Sequence, residues 1–387
     1  MTLAPTASLA ARHAAARARF AEAGVDALIV SHLPNLFYLS NLAATAGLLV
    51  LTPRSATLLV DGRYRSAGEA LGSGPSACPD LDLRLVADSY EEALTRVVAD
   101  LGGMRVGFEA AHLPVARHEW MLAGLAGGAD APALVSTQGL VESLRVRKDA
   151  FEQALLREAA VRLSAVFVGV LVDLRAGVRE WEVAAQLEQG LRRAGFAKPA
   201  FDTIVASGPS SAVPHARAGD RTLTPGDLVV IDAGGVYHGY CVDMTRTASI
   251  GEPGARARRL FGAVRAAQAA GIEAMRAGAA TAAIDAAARD VMRDRGFGDA
   301  FVHSTGHGLG IEVHETPRLA KRRPEADRPT RTGYFRDPDV LEAGMVVTVE
   351  PGGYLDGFGG VRIEDDVLVT PEGRDVLTSV DRGLAVC

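Results

Sequence analysis

At 387 residues the chain is long enough for two domains and for a sizeable core. Hydrophobic residues make up 48% and charged residues 23%, proportions of an ordinary soluble protein, and the net charge of −6 leaves no footprint for nucleic acid or an anionic membrane surface. Three cysteines, Cys78, Cys241 and Cys387, are too few and too widely spaced for a disulfide framework and suggest a reducing compartment.

In chain order, an Ala/Arg-rich helix is expected to about Ala23. Arg12, Arg17 and Arg19 interrupt it, which argues against a signal peptide, and no apolar run approaches membrane-spanning length. A cytoplasmic location is therefore the default. Strands follow at Ala27 to Val30, Leu48 to Leu51 and Ala56 to Val60, alternating with helical segments, so residues 1–140 read as an α/β layered domain. Leu140 to Lys148 reads as a connection. From Asp149 a long helix begins with Phe151, Leu155, Ala159 and Leu163 at fourfold spacing, opening a second domain over residues 149–387. Further helices are expected near residues 180–194 and 254–296.

Five residues of metal-binding type close apolar runs or flank glycine-rich turns in this second part. Leu228-Val229-Val230-Ile231 reads as a buried strand ending on Asp232, and Tyr240 to Thr245 as its return strand carrying Asp243. A two-residue turn at Tyr237-His238 pairs Val236 with Gly239 and sets Asp232 directly opposite Asp243. Opposed side chains lie about 5 Å apart, where like charges repel unless a cation sits between them. Two solvated aspartates on an exposed hairpin are the plain alternative. Cys241 shares the strand face of Asp243, as a soft ligand or, more simply, a packed thiol. His307 lies among Gly306, Gly308 and Gly310, which admit close approach of backbone or ligand. A dinucleotide loop is excluded because no strand-length apolar run leads into those glycines. Glu350 and Glu364 follow two more apolar strands, and buried carboxylates are costly unless paired or metal-bound.

Over nearly its whole length the chain resembles the dinuclear metallopeptidase family of methionine aminopeptidase, aminopeptidase P and prolidase. Asp232, Asp243, His307, Glu350 and Glu364 reproduce that family's ligand order and local contexts. The resemblance implies an α+β chain: a C-terminal pita-bread catalytic domain preceded by an α/β creatinase-like domain. Asn35 to Ser40 and Asp61 to Tyr64 are similar to landmarks of that N-terminal domain, which methionine aminopeptidases generally lack. It also implies two divalent metal ions. Four carboxylates and one imidazole suit manganese, with zinc, cobalt or iron as alternatives, and a hydroxide bridging the two ions as nucleophile. By resemblance Glu350 doubles as general acid/base, and His215 and His314 polarise the scissile carbonyl. A packed or surface histidine is the alternative for each. His303 resembles a proline-pocket histidine, Tyr354 a family tyrosine or else a core aromatic, and Arg362 shares a strand face with Glu364, to orient a carboxylate or touch substrate.

Substrate choice rests on the arginine-rich segment between Pro317 and Leu341. Arg336 stands where prolidases carry an arginine for the substrate's terminal carboxylate, although a solvated basic loop is the competing reading. The expectation is hydrolysis of the bond before proline in Xaa-Pro dipeptides. The alternatives are an Xaa-Pro aminopeptidase for longer peptides and a hydrolase or lyase of a small non-peptide zwitterion. The resemblance further implies a homodimer.

Overall fold

The computed structural model describes residues 1–128, 130–321 and 337–387. Among these the chain divides into two compact units, Met1–Arg145 and a second running from Val146 to Cys387. Arg336 lies outside the described residues.

The first unit is built on a six-stranded sheet: β1 (Ala27–Val30), β2 (Leu48–Leu51), β3 (Ala56–Val60), β4 (Leu81–Leu85), β5 (Arg105–Glu109) and β6 (Ala133–Thr137). The spatial order is β4-β3-β2-β1-β5-β6. The pairs β1–β5, β5–β6 and β3–β4 are parallel, and β1–β2 and β2–β3 antiparallel. All four residues of β1 are buried, as a central strand covered on both faces requires. Its helices are α1 (Thr6–Ala18), α2 (Phe20–Ala23), α3 (Leu33–Ser40), α4 (Arg65–Ala70), α5 (Tyr90–Ala99), α6 (Val115–Leu125) and α7 (Glu142–Arg145). The expected first helix is thus two pieces broken at Arg19, and Gly24 closes the second in the left-handed region at φ 66°.

The second unit opens with α8 (Ala150–Asp173). Asp149 caps it by accepting from the Glu152 N–H, while Glu152 accepts from the Asp149 N–H, a reciprocal capping box. The strands β7 (Lys198–Pro199), β8 (Ile204–Ser207), β9 (Leu228–Tyr237) and β10 (Tyr240–Ser249) follow α9 (Glu180–Arg193). The expected helical stretch at 254–296 is two helices, α10 (Ala255–Ala274) and α11 (Thr281–Asp294), interrupted where Gly278 takes φ 84°. Then come β11 (Gly306–Gly308), β12 (Glu315–Leu319), β13 (Val346–Val349), β14 (Gly352–Leu355), β15 (Gly359–Arg362), β16 (Asp365–Thr370), β17 (Gly373–Val376) and β18 (Ala385–Val386). They form one sheet in the order β18-β10-β9-β7 with β8 also on β9, a second in the order β12-β11-β13-β16-β17, and the hairpin β14–β15. Leu260, Val264 and Met292 of the helices pack with Val361 and Ile363 beneath this hairpin. Each such buried side chain contributes about 1.5–3 kcal/mol.

The β9–β10 register corrects the sequence expectation. The turn is His238-Gly239, with φ 48° and 91°, and not Tyr237-His238. Two successive positive-φ residues match the twist of the flanking strands, and glycine at the second position makes that turn accessible. Asp232 therefore faces Thr245, and Asp243 faces Gly234. The two aspartates are diagonal neighbours two residues apart in register, so they still share a face.

Candidate metal centre

Asp232 and Asp243 project from the β9–β10 hairpin, His307 from the middle of β11, Glu350 from the residue after β13, and Glu364 from between β15 and β16. Asp232, Asp243, His307 and Glu364 are all buried, Glu364 almost completely. Ligand atoms of Asp243, His307 and Glu364 all lie within 4.8 Å of one another. His307 Nε2 is 3.4 Å from Glu350 Oε1.

The imidazole is set for coordination through Nε2. Its Nδ1 lies 2.9 Å from the Gly308 carbonyl oxygen, which can only accept, so Nδ1 carries the proton and the Nε2 lone pair is left over. The His307 backbone N–H donates to Thr348 Oγ1, and that hydroxyl donates to Glu350 Oε1. The glycines around His307 serve the chain more than a ligand. A Cβ on Gly306 would meet the Thr348 carbonyl oxygen at 2.0 Å, and one on Gly308 the Thr316 oxygen at 2.2 Å.

Thr245 joins the two sheets at the site. Its hydroxyl donates to Glu364 Oε2 at 2.7 Å, its carbonyl accepts from the Glu364 N–H, and Arg362 Nε donates to the same hydroxyl. The Asp243 N–H donates to Asp366 Oδ2. Thr245, Thr348 and Asp366 were not picked out in the sequence. One of them carries a signal visible in hindsight, since Thr245 stands two residues beyond Asp243 on the same face of β10.

Asp232 Oδ1, Asp243 Oδ1 and Glu364 Oε1 are buried and have no hydrogen-bond partner among the described residues. Burial pushes the Asp243 carboxyl well above its ordinary range, and Asp232, Asp366 and Glu350 push it further. Glu364 is raised by burial and then by Asp243, Glu350 and Asp232. Burial likewise raises Glu350 and lowers the His307 imidazole. Unpartnered carboxylate oxygens that repel one another, beside an imidazole lone pair, are a donor set that fits divalent cations and fits little else.

A second network flanks this one. Arg362 Nη2 donates to Asp232 Oδ2 at 2.5 Å, and its Nη1 donates to Tyr354 Oη at 2.8 Å and to the Pro214 carbonyl. The Tyr354 hydroxyl donates in turn to His303 Nε2 at 3.0 Å, because His303 Nδ1 spends its proton on the Ser304 carbonyl. Burial raises the Tyr354 hydroxyl to about 12, so it remains a donor. Arg362 thus reaches a carboxylate, that of Asp232, from the strand that leads to Glu364. The His314 ring packs edge-on to His307 at 4.4 Å, and burial lowers its imidazole, with His307, Arg318 and His215 lowering it further. His215 is exposed and follows the turn Gly208–Ala212, which a close contact clamps to β15: a Cβ on Gly360 would meet the Ser211 carbonyl oxygen at 2.1 Å. Cys241 Sγ faces the Ile311 carbonyl oxygen as a buried thiol outside the ligand cluster.

Residues 154–371 match the model of metallopeptidase family M24. The chain belongs to that family. Its N-terminal unit matches the creatinase/prolidase N-terminal domain over residues 12–147, so this M24 chain pairs a pita-bread domain with a creatinase-like one, the expected fold class. An Xaa-Pro dipeptidase of Pyrococcus horikoshii is 33% identical over 93% of this chain and 94% of its own. Among solved structures, an Xaa-Pro dipeptidase from Bacillus anthracis superposes with a TM-score of 0.88 at 35% identity, covering 98% of this chain and all of that one. An X-Pro aminopeptidase from Thermotoga maritima does so at 0.81 and 31%, covering 94% and 98%.

Proposed function

We propose that this M24 chain hydrolyses the peptide bond before proline in Xaa-Pro dipeptides, with two divalent ions held by Asp232, Asp243, His307, Glu350 and Glu364. The observation that carries the metal reading is the set of buried, unpartnered carboxylate oxygens converging beside His307 Nε2. The dipeptide reading rests on the dipeptidases to which the chain is similar. Four carboxylates and a single imidazole favour manganese over softer ions, with zinc, cobalt and iron as substitutes. Ions bound there supply Lewis acidity and a nucleophile from water at neutral pH.

The chain's own groups do the rest. Thr348 and His307 both approach Glu350 Oε1, which leaves Oε2 to take and return the proton of the reaction. His314, edge-on to His307, and His215 donate to the oxygen on which charge develops. His303 and Tyr354 line the position for the proline ring, held by Arg362. Arg336 is assigned the substrate's terminal carboxylate.

The similarity to an X-Pro aminopeptidase favours a second reading, in which longer peptides are cut. Comparing Ala-Pro with Ala-Pro-Ala at saturating manganese separates the two. Preferred cleavage of the dipeptide is expected, together with a far larger loss on Ala-Pro than on Ala-Pro-Ala for Arg336→Ala. Preferred tripeptide cleavage overturns the dipeptidase reading, and cleavage of neither points to a small zwitterion. Less than one equivalent of metal in an active preparation would overturn the dinuclear reading. The proposal extends to a cytoplasmic homodimer, on the resemblance alone, and sedimentation of an active monomer would remove that part.

A further inference from the structure

The first unit carries a second cluster of metal-binding side chains that the peptidase chemistry does not use. β1 and β5 lie side by side and parallel in its sheet, and the chain leaves them in opposite directions, β1 toward β2 and β5 toward β6. The crevice beyond the carboxyl ends of two such strands is where open α/β sheets bind ligands. His32 stands two residues past the end of β1, His112 three past the end of β5, and Glu142 begins α7.

The three side chains converge there. His32 Nδ1 is 3.7 Å and His112 Nε2 3.6 Å from the same oxygen, Glu142 Oε1, both longer than an ordinary hydrogen bond. One ligand atom from each residue lies within 4.8 Å of the other two. Ligand atoms around a tetrahedral ion with bonds of 2.0–2.1 Å stand about 3.3 Å apart, so a contraction of the cluster together with a turn of one ring would make three of its four bonds. The imidazole rings are stacked at 3.6 Å with 8° between their planes, so one ring must turn for both in-plane lone pairs to reach a single ion. Glu142 Oε2 is buried without a partner among the described residues.

The residues behind these three hold them in place. Asn35 Nδ2 donates to Glu142 Oε1 and to Glu109 Oε1, each at 2.7 Å, and Arg145 Nη1 donates to Asn35 Oδ1. Glu109 Oε2 accepts the backbone N–H groups of Ser31 and His32, and the His112 N–H donates to the Glu109 carbonyl. Supporting bonds of this kind orient metal ligands and account for much of a site's affinity. His112 keeps a third of its side chain exposed, which leaves an ion a way in.

We propose that His32, His112 and Glu142 form a binding site for one divalent ion of the zinc type, separate from the peptidase centre, with the fourth position left to water. Two imidazoles and one carboxylate select zinc, cobalt or nickel over manganese, the reverse of the preference at the acidic centre. The bound ion ties the loop after β1 to the loop after β5.

The test uses the full chain with the peptidase centre disabled by Asp243→Asn and His307→Ala, stripped by chelator and dialysed against zinc alone. One equivalent of zinc is expected to remain bound. Adding His112→Asn, or separately Glu142→Gln, should weaken that binding by more than about tenfold, since loss of supporting bonds alone costs 10–100-fold. Circular dichroism identifies any variant that fails to fold, and the remaining one then decides. With cobalt in place of zinc, the visible absorption of a tetrahedral ion should appear in the disabled chain and vanish in both further variants. No zinc in the disabled chain overturns the proposal, as does equal zinc in all three proteins.

Discussion

Arg362 donates to Asp232, Thr245 and Tyr354 at once, and so ties the acidic cluster to the Tyr354–His303 pair. A residue that orients a ligand from behind typically governs 10–100-fold in metal affinity. Arg362→Gln is expected to lower manganese affinity by about that factor in a competition titration, and unchanged affinity would show that Asp232 needs no such support. Away from the centre, Arg221 holds Asp227 at the start of β9 through both carboxylate oxygens. Burial works against the charged form of Asp227, yet the bonds from Arg221 and Thr224 outweigh it and keep the carboxyl below its ordinary 3.8. A depressed carboxyl stabilises the fold above its unfolded value and loses that contribution as the pH falls through its folded value. The melting-temperature advantage over Asp227→Asn should therefore be full at neutral pH and shrink below about pH 3.8, and an advantage independent of pH would contradict it. The four acidic candidates were legible in the sequence because an acid on an apolar strand conflicts with its surroundings, and His307 because of the glycines around it. Thr245 and Thr348 were not, because threonine suits any strand and only the fold reveals what its hydroxyl reaches.

The β9–β10 hairpin shows what a turn decides. Placing it at Tyr237-His238 preserved the shared face of the aspartates but paired the wrong residues, because a shift of two positions in register sum leaves strand parity intact. A one-residue change of partner parity would have sent Asp243 to the other face. Gly239 at φ 91° is the residue that admits the observed turn. Gly239→Ala is expected to destabilise the protein by about 1 kcal/mol or more, with a loss of metal affinity, as both aspartates depend on the register. Chemical denaturation with and without manganese would measure both, and a neutral substitution would show that the register is held elsewhere. The strands of the first unit were readable at residues 27–30, 48–51 and 56–60 because each is a short, wholly buried apolar run. Strands β11 and β14 were not resolved as strands of their own, being short and glycine-rich, and sheet pairing makes them.

Across the whole molecule, the buried carboxyls of the peptidase centre repel one another, and bound ions would relieve that repulsion. At 100 times the dissociation constant a bound ion stabilises by about 2.7 kcal/mol. Chelation of two such ions should therefore lower the melting temperature by roughly 10–20 °C at about 2–4 °C per kcal/mol for a large domain, and Asp243→Asn should blunt the shift. A shift equally large in both proteins would place the ion elsewhere. The family was readable from spacing spread across the chain, whereas the choice between dipeptides and longer peptides was assigned to Arg336, outside the described residues. The bonds between Thr245 and Glu364 have a consequence in time. The hairpin that carries Asp232 and Asp243 closes from local contacts, but His307 and Glu364 reach it only after long loops have closed, the slow events of folding. In the same chelation experiment, manganese is thus expected to slow unfolding and to leave the refolding rate unchanged. On that outcome the ion is captured by the finished protein, a latch on the native state that takes no part in building it.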